Sequence, residues 1–197
     1  MTDLVLIRHA PTDWNAQKRI QGRTDTALSA AGRALLDEWK IPESFKAFDW
    51  FCSPLQRTRD TATALGGEPS VAEVLIEMDW GTWEGRRLPE LRAELGQEMR
   101  DHEDRGLDFR PPGGESPRDV QVRLRPWLQA LTSATIAVTH KGVIRAVYAL
   151  AVDWDLTGKP PQKLADSTLH HFRLDATGHP AVIALNVPLH GQERKSA

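Results

Sequence analysis

Leu4–Ile7 is an unbroken aliphatic run near the start of the chain, with no polar position to give it an exposed face. Such a run predicts a strand buried on both sides, as inside a parallel sheet. After a polar loop, Ser29–Trp39 reads as a helix with Ser29 at its N-cap. Trp50–Cys52 predicts a second strand, running into Ser53-Pro54-Leu55-Gln56. There Ser at N-cap, Pro at N1 and Gln at N3 spell a capping box, and the helix stops at Gly66-Gly67. Val71–Ile76 is a third strand candidate. Thr135–Thr139 is a fourth, followed by a helix from Lys141 to about Val152.

Between the third and fourth strands, the charged stretch from about Leu88 to Arg105 predicts a helix outside the main sheet, ended by Pro111-Pro112-Gly113-Gly114. Ser116-Pro117-Arg118-Asp119 starts another helix, with Val120, Leu124, Trp127, Leu128 and Leu131 at helical spacing. From Thr168 to Val187 two strands flank a turn at Asp175–Gly178. Strands alternating with helices predict an α/β fold with three α/β/α layers around a mostly parallel, doubly wound sheet. One domain over residues 1–197 is expected, with a small helical cover inserted at about 78–115.

Ligands of open α/β sheets bind beyond the carboxyl ends of the strands. Leu4–Ile7 ends in Arg8-His9, Trp50–Cys52 leads into the helix carrying Arg57, and Thr135–Thr139 ends in His140. The fold alone therefore gathers two histidines and two arginines at one edge.

Charge refines this picture. The 25 Lys+Arg (18 of them Arg) nearly balance 27 Asp+Glu, for a net charge of −2. That balance argues against a general nucleic-acid binder, which needs a basic face to neutralise many phosphates. The single cysteine, Cys52, excludes a disulfide framework and a Cys-based zinc site, and its apolar neighbours predict a buried thiol. No apolar run reaches membrane-spanning length and the N-terminus lacks a signal-peptide pattern, so a cytoplasmic protein with no membrane or nucleic-acid partner is expected.

Five ordered segments then carry a resemblance. They are Arg8-His9-Ala10-Pro11-Thr12-Asp13-Trp14-Asn15 with Gln21-Gly22-Arg23-Thr24-Asp25; Ser53-Pro54-Leu55-Gln56-Arg57-Thr58-Arg59; Glu77-Met78-Asp79-Trp80-Gly81-Thr82-Trp83-Glu84-Gly85; Pro112-Gly113-Gly114-Glu115-Ser116; and Thr139-His140-Lys141-Gly142-Val143-Ile144-Arg145. Together they resemble the histidine phosphatase (phosphoglycerate mutase-like) superfamily, branch 1. The context of Glu77 is similar to that in small bacterial broad-specificity and alpha-ribazole phosphatases.

The resemblance implies a phosphoglycerate mutase-like fold and a metal-independent phosphomonoesterase without cofactors, acting on a small phosphorylated metabolite as a monomer or homodimer. It makes His9 the nucleophile that forms a phosphohistidine, and Glu77 the general acid and base. Arg8, Arg57 and His140 form the catalytic phosphate pocket, lined further by Asn15, Gln21 and Gly22. Fixed cations and donors suit this chemistry, because charge spreads over the phosphoryl oxygens in the transition state. The alternatives are a phosphoglycerate mutase, against which the compact chain argues, and a phosphohistidine protein phosphatase, against which the covering segment argues. Two positions depart from the family's pattern. Ala10 stands where many members have Gly, and Lys141 stands where small residues are usual. Lys141 is either a solvated helix-start lysine or a rim cation favouring multiply anionic substrates. Arg145 is expected to be structural, Glu84 structural or pocket-lining, and Trp14, Trp80 and Trp83 either pocket or packing residues. His170 and His171 are set aside because neighbours on a strand point to opposite faces and cannot chelate together, and His102, His179 and His190 for want of ligand spacing.

Overall fold

A computed structural model describing residues 1–189 opens with strand β1 (Thr2–Arg8), in which Leu4 to Ile7 are fully buried. Their side chains alternate between two faces: Leu4 and Leu6 join one hydrophobic cluster, Val5 and Ile7 the other. Helices α1 (Asp13–Ala16) and α2 (Ala30–Glu38) follow, the latter capped by Ser29 Oγ accepting from Gly32 N at 2.9 Å. Next come β2 (Asp49–Cys52), α3 (Gln56–Ala64) and β3 (Ser70–Val71). Then follow α4 (Leu88–Leu95), α5 (Gln97–Glu103), α6 (Pro117–Ala130), β4 (Thr135–Thr139), α7 (Lys141–Ala151), β5 (Thr168–Leu174) and β6 (Pro180–Pro188).

The strands form one sheet in the order β3-β2-β4-β1-β5-β6. Strands β1 to β4 are parallel, β5 runs antiparallel to β1, and β6 antiparallel to β5. Helices α6 and α7 cover one face, packing Val120, Leu124, Val143 and Val147 into a cluster with Leu4, Leu6 and Phe172. Helices α2 and α3 cover the other, with Leu36 and Ala62 clustered with Val5, Ile7 and Ile136. The three α/β/α layers expected from the alternation are present. Trp83, Leu91 and Met99 form a third cluster, packed against Trp80 and Phe109.

Three segments differ from the pattern their residues predict. Val71–Ile76 is not a strand: β3 stops at Val71 and a 3-10 turn spans Glu73–Leu75. Side chains rather than a neighbouring strand take up its carbonyls. Thr139 Oγ1 donates to Leu75 O at 2.7 Å, and the Arg123 guanidinium donates to Val74 O and Ile76 O. The Leu88–Arg105 stretch breaks into two helices at Gly96, whose φ of 55° suits a residue without a Cβ. Finally, α3 begins at Gln56 with Leu55 at its N-cap and no side-chain cap, so the Ser53 capping box does not form. Ser53 Oγ instead lies 2.8 Å from His140 Nε2. Both residues are fully buried, so the ring nitrogen has no water alternative and claims the hydroxyl.

Candidate active site

Strand register assembles the site. Arg8 lies opposite Thr139 in the β1–β4 ladder, and Cys52 opposite Val138 in the β2–β4 ladder. One residue further, His9 N donates to Thr139 O at 3.0 Å and Ser53 N to Val138 O at 3.1 Å. Arg8, His9, Ser53 and His140 therefore stand side by side across the carboxyl ends of three neighbouring strands. The His9 and His140 ring centroids are 5.3 Å apart. A cavity of about 180 Å³ opens here, with Arg8, His9, Arg57 and Glu77 among its walls and Asn15, Gln21 and Gly22 along one side.

His9 Nδ1 lies 2.7 Å from the carbonyl oxygen of Ala10. A carbonyl can only accept, so the ring proton sits on Nδ1 and Nε2 keeps its lone pair. Burial, reinforced by Arg8 and Arg57, pushes the His9 pKa well below its usual value and keeps the ring neutral. Ala10 N donates to Thr61 Oγ1 at 3.0 Å, and Thr61 Oγ1 donates to Arg57 O at 2.7 Å. Helix α3 thus fixes the residue that orients His9. His140 is likewise held neutral by burial, with His9, Arg57 and Arg8 adding to the effect.

The Arg57 side chain is fully buried and donates to Thr24 O and Gly22 O, each at 2.8 Å. Arg8 reaches the cavity edge, where Nη1 pairs with the exposed Asp166 at 2.5 Å. Arg8 Nε, Arg57 Nε and His140 Nδ1 are all buried without a partner. Buried polar atoms in folded chains almost always find partners, so three orphans at one sheet edge are a chemical signature of this site.

Glu77 follows the 3-10 turn. Its Oε1 accepts from Met78 N at 2.8 Å and its Oε2 from Gly142 N at 3.2 Å. Burial raises its pKa, and those bonds together with Arg57 and Arg8 oppose the rise without cancelling it. A Cβ on Gly142 would stand 2.4 Å from Glu77 Oε1, so the bare glycine permits this approach. Asn15 Oδ1 accepts from Thr12 N at 2.9 Å, and Gln21 Oε1 accepts from Thr12 Oγ1 at 3.0 Å and Thr26 Oγ1 at 2.7 Å. Each amide NH2 has no partner among the described residues. Gly22 has φ +55°, and a Cβ there would lie 1.9 Å from Glu84 Oε1. Glu84 clamps the loop, accepting from Arg23 N at 2.7 Å and Thr24 N at 2.9 Å.

Every expected site residue thus meets at one edge, all but the fully buried His140 in the cavity wall itself. Arg145, expected to be structural, also lines the cavity, as do Lys141 and Trp80. Trp83 packs instead beside Phe109, with ring centroids 5.8 Å apart. Reading by residue missed Ser53 as the partner of His140, and a brace around Glu77. In that brace Glu115 pairs with Arg23 at 2.8 Å and Arg123 at 3.2 Å, while Arg23 Nε donates to Glu77 O at 3.4 Å. Of its parts, Arg23 and Glu115 lie in segments that carry the family resemblance, and Arg123 does not. His171 pairs with Asp3 at 2.9 Å, and His190 lies outside the described residues. Among the described residues, no three His, Cys, Asp or Glu side chains are grouped as metal ligands, and no helix is long and apolar enough to cross a membrane.

Residues 4–187 match the profile of the histidine phosphatase superfamily (branch 1), and the chain belongs to that superfamily. A phosphoserine phosphatase 1 from Hydrogenobacter thermophilus is 29% identical, covering 80% of this chain and 79% of that protein. A 2,3-bisphosphoglycerate-dependent phosphoglycerate mutase from Chelativorans sp. is 29% identical over 93% of this chain and 92% of the mutase. The Saccharomyces cerevisiae fructose-2,6-bisphosphatase is 31% identical over 73% of this chain. The chain spans only 33% of that protein's length, and 24% of an Arabidopsis thaliana 6-phosphofructo-2-kinase/fructose-2,6-bisphosphatase. Among solved structures, TTHB049 from Thermus thermophilus superposes with a TM-score of 0.74 at 28% identity, covering 94% of this chain and 99% of that one.

Proposed function

We propose that this chain is a metal-independent phosphomonoesterase that hydrolyses a small phosphorylated metabolite through a phosphohistidine on His9. The observation that carries the reading is the His9 tautomer: Nδ1–H is tied to Ala10 O at 2.7 Å, leaving a neutral ring with Nε2 unbonded among cations. In the first step Nε2 attacks phosphorus, the N–P bond forms, and the P–O bond to the leaving group breaks. Glu77, its pKa raised by burial, gives its proton to the departing alkoxide. In the second step the Glu77 carboxylate takes a proton from water, the water oxygen bonds to phosphorus, and the N–P bond breaks. Free phosphate leaves and neutral His9 returns. The donors of Arg8, Arg57 and His140 that lack partners meet the phosphoryl oxygens, whose charge grows in the transition state.

A phosphoglycerate mutase remains the second reading, because the chain covers 92% of one such relative. The compactness of the chain therefore does not separate the two. The fate of the phosphoenzyme does. A panel of phosphomonoesters with EDTA present should release inorganic phosphate, trap acid-labile phosphate on the protein, and lose both with His9→Ala. Transfer to 2- or 3-phosphoglycerate faster than to water would favour the mutase. Full activity of His9→Ala would refute both.

A further inference from the structure

Glu77 stands outside any helix or strand, two residues past the 3-10 turn at Glu73–Leu75, so no regular backbone ladder holds it. The backbone of residues 74–77 carries it to the cavity wall. Among the described residues, no backbone N–H donates to any of these four carbonyls. Each accepts instead from a side chain distant in sequence. The Arg123 guanidinium donates to Val74 O, and to Ile76 O at 2.6 Å. Thr139 Oγ1 donates to Leu75 O at 2.7 Å, and Arg23 Nε to Glu77 O at 3.4 Å. Backbone carbonyls away from water need partners, so each donor removed leaves one unpaired and frees the segment.

The two guanidiniums are themselves locked. Glu115 Oε1 accepts from Arg123 Nε at 3.2 Å and pairs with Arg23 Nη2 at 2.8 Å, while Oε2 accepts from Asp79 N at 3.2 Å. Arg23 Nη1 lies 3.5 Å from the Asp79 carboxylate. Arg123 rises from α6 between Val120 and Leu124, both fully buried, so its base is fixed to the core. A planar fork can serve a carboxylate and two carbonyls together, whereas an ammonium is a point charge. The four side chains carry two charges of each sign, so this grip adds no net charge beside a group that must hold a proton. None of Arg23, Asp79, Glu115 and Arg123 is among the residues that line the cavity. Any effect they have on the reaction therefore passes through the Glu77 segment.

We propose that Arg123, with Arg23 and Glu115, positions the proton donor: the three side chains clamp the backbone of residues 74–77 so that the Glu77 carboxyl meets the leaving oxygen of the ester. They are positioning residues, and the clamp is built before substrate arrives. This rests on the reading of Glu77 as the general acid and adds what holds that acid in place.

The test is the ratio of kcat/KM for p-nitrophenyl phosphate to that for glycerol 3-phosphate. The first leaving group departs without a proton and the second needs one. Damage to the phosphoryl pocket or loss of folded enzyme lowers both rates alike and leaves the ratio level. Glu77→Gln, which removes the proton, sets the scale and should raise the ratio about a hundredfold. Arg123→Met should raise it at least about tenfold, because misplacing a catalytic group by about 1 Å costs on the order of 10²-fold. Arg123→Lys, whose ammonium can reach one of the two carbonyls, should fall between Arg123→Met and the parent enzyme. If the Arg123 variants do not fold, Arg23→Met, whose side chain is 36% exposed, should still raise the ratio severalfold. A ratio raised by Glu77→Gln and unmoved by the folded arginine variants overturns the clamp and leaves Glu77 as the donor. A ratio unmoved by Glu77→Gln overturns both, as does the absence of turnover of either ester.

Discussion

Gly142→Ala separates the chemistry of the site from the stability of the fold. Gly142 is the second residue of α7, and on helix propensity alone alanine there gains up to about 1 kcal/mol. The added Cβ would lie 2.4 Å from Glu77 Oε1, against about 3.4 Å for ordinary contact, so the carboxylate must retreat by about 1 Å. The 3.2 Å bond from Gly142 N to Glu77 Oε2 is lost with it. A displacement of that size costs on the order of 10²-fold in rate, or about 2.7 kcal/mol of transition-state stabilisation. The loss should depend on the leaving group. With an alkyl phosphate, whose alkoxide needs a proton, kcat/KM, which reports phosphorylation of His9 and not the later attack of water, should fall about a hundredfold. With p-nitrophenyl phosphate, whose leaving group is already a good one, it should fall far less. The melting temperature should stay level or rise by a few degrees, at about 2–4 °C per kcal/mol for a chain of this size. An unchanged kcat/KM on the alkyl ester, measured with the fold intact, would refute Glu77 as the proton donor.

Ser53→Ala should leave both ring nitrogens of His140 without a partner and lower kcat about tenfold, while Ser53→Thr recovers part of the loss; equal rates for Ala and the parent enzyme would make the 2.8 Å contact incidental. Acid should destabilise the fold through its buried histidines. The pKa of His170 is lowered from 6.5 to about 4 by burial, so the unfolded chain binds a proton between these values that the folded chain refuses. The contribution is fully present above pH 6.5 and is lost as pH falls toward 4, by about 3 kcal/mol. Urea titrations across that window should show a shallower decline for His170→Gln, and an identical slope would contradict the assignment.

The centre of the sheet was legible because its signals are local and unambiguous. Four aliphatic residues in a row, cut short by a polar loop containing Pro11, suit a short strand covered on both sides, and such strands end where Arg8-His9 and His140 stand. Other features depend on contacts between distant residues. Ser53 satisfies the pattern of a helix cap as well as that of an imidazole partner, and only the position of His140 decides between them. Val71–Ile76 has the composition of a strand, but Thr139 and Arg123 occupy its carbonyls from elsewhere in the chain. Arg145 reads as an ordinary helical arginine until Trp154 is seen beneath it. The Glu115 brace joins residues 23, 115 and 123, a separation across which sequence periodicity carries no information.

The Arg8–Thr139 register has a consequence for how this protein fails. Neighbouring residues of a strand point to opposite faces, so a slip of β1 by one position would exchange the directions of Arg8 and His9. The spacing of the two imidazoles is therefore set by the last rungs of the central ladder, with no hinge or loop to adjust it. Catalysis becomes a gauge of the sheet: a substitution deep in the core that loosens β1 would surface first as a loss of turnover, with every residue around the cavity unchanged.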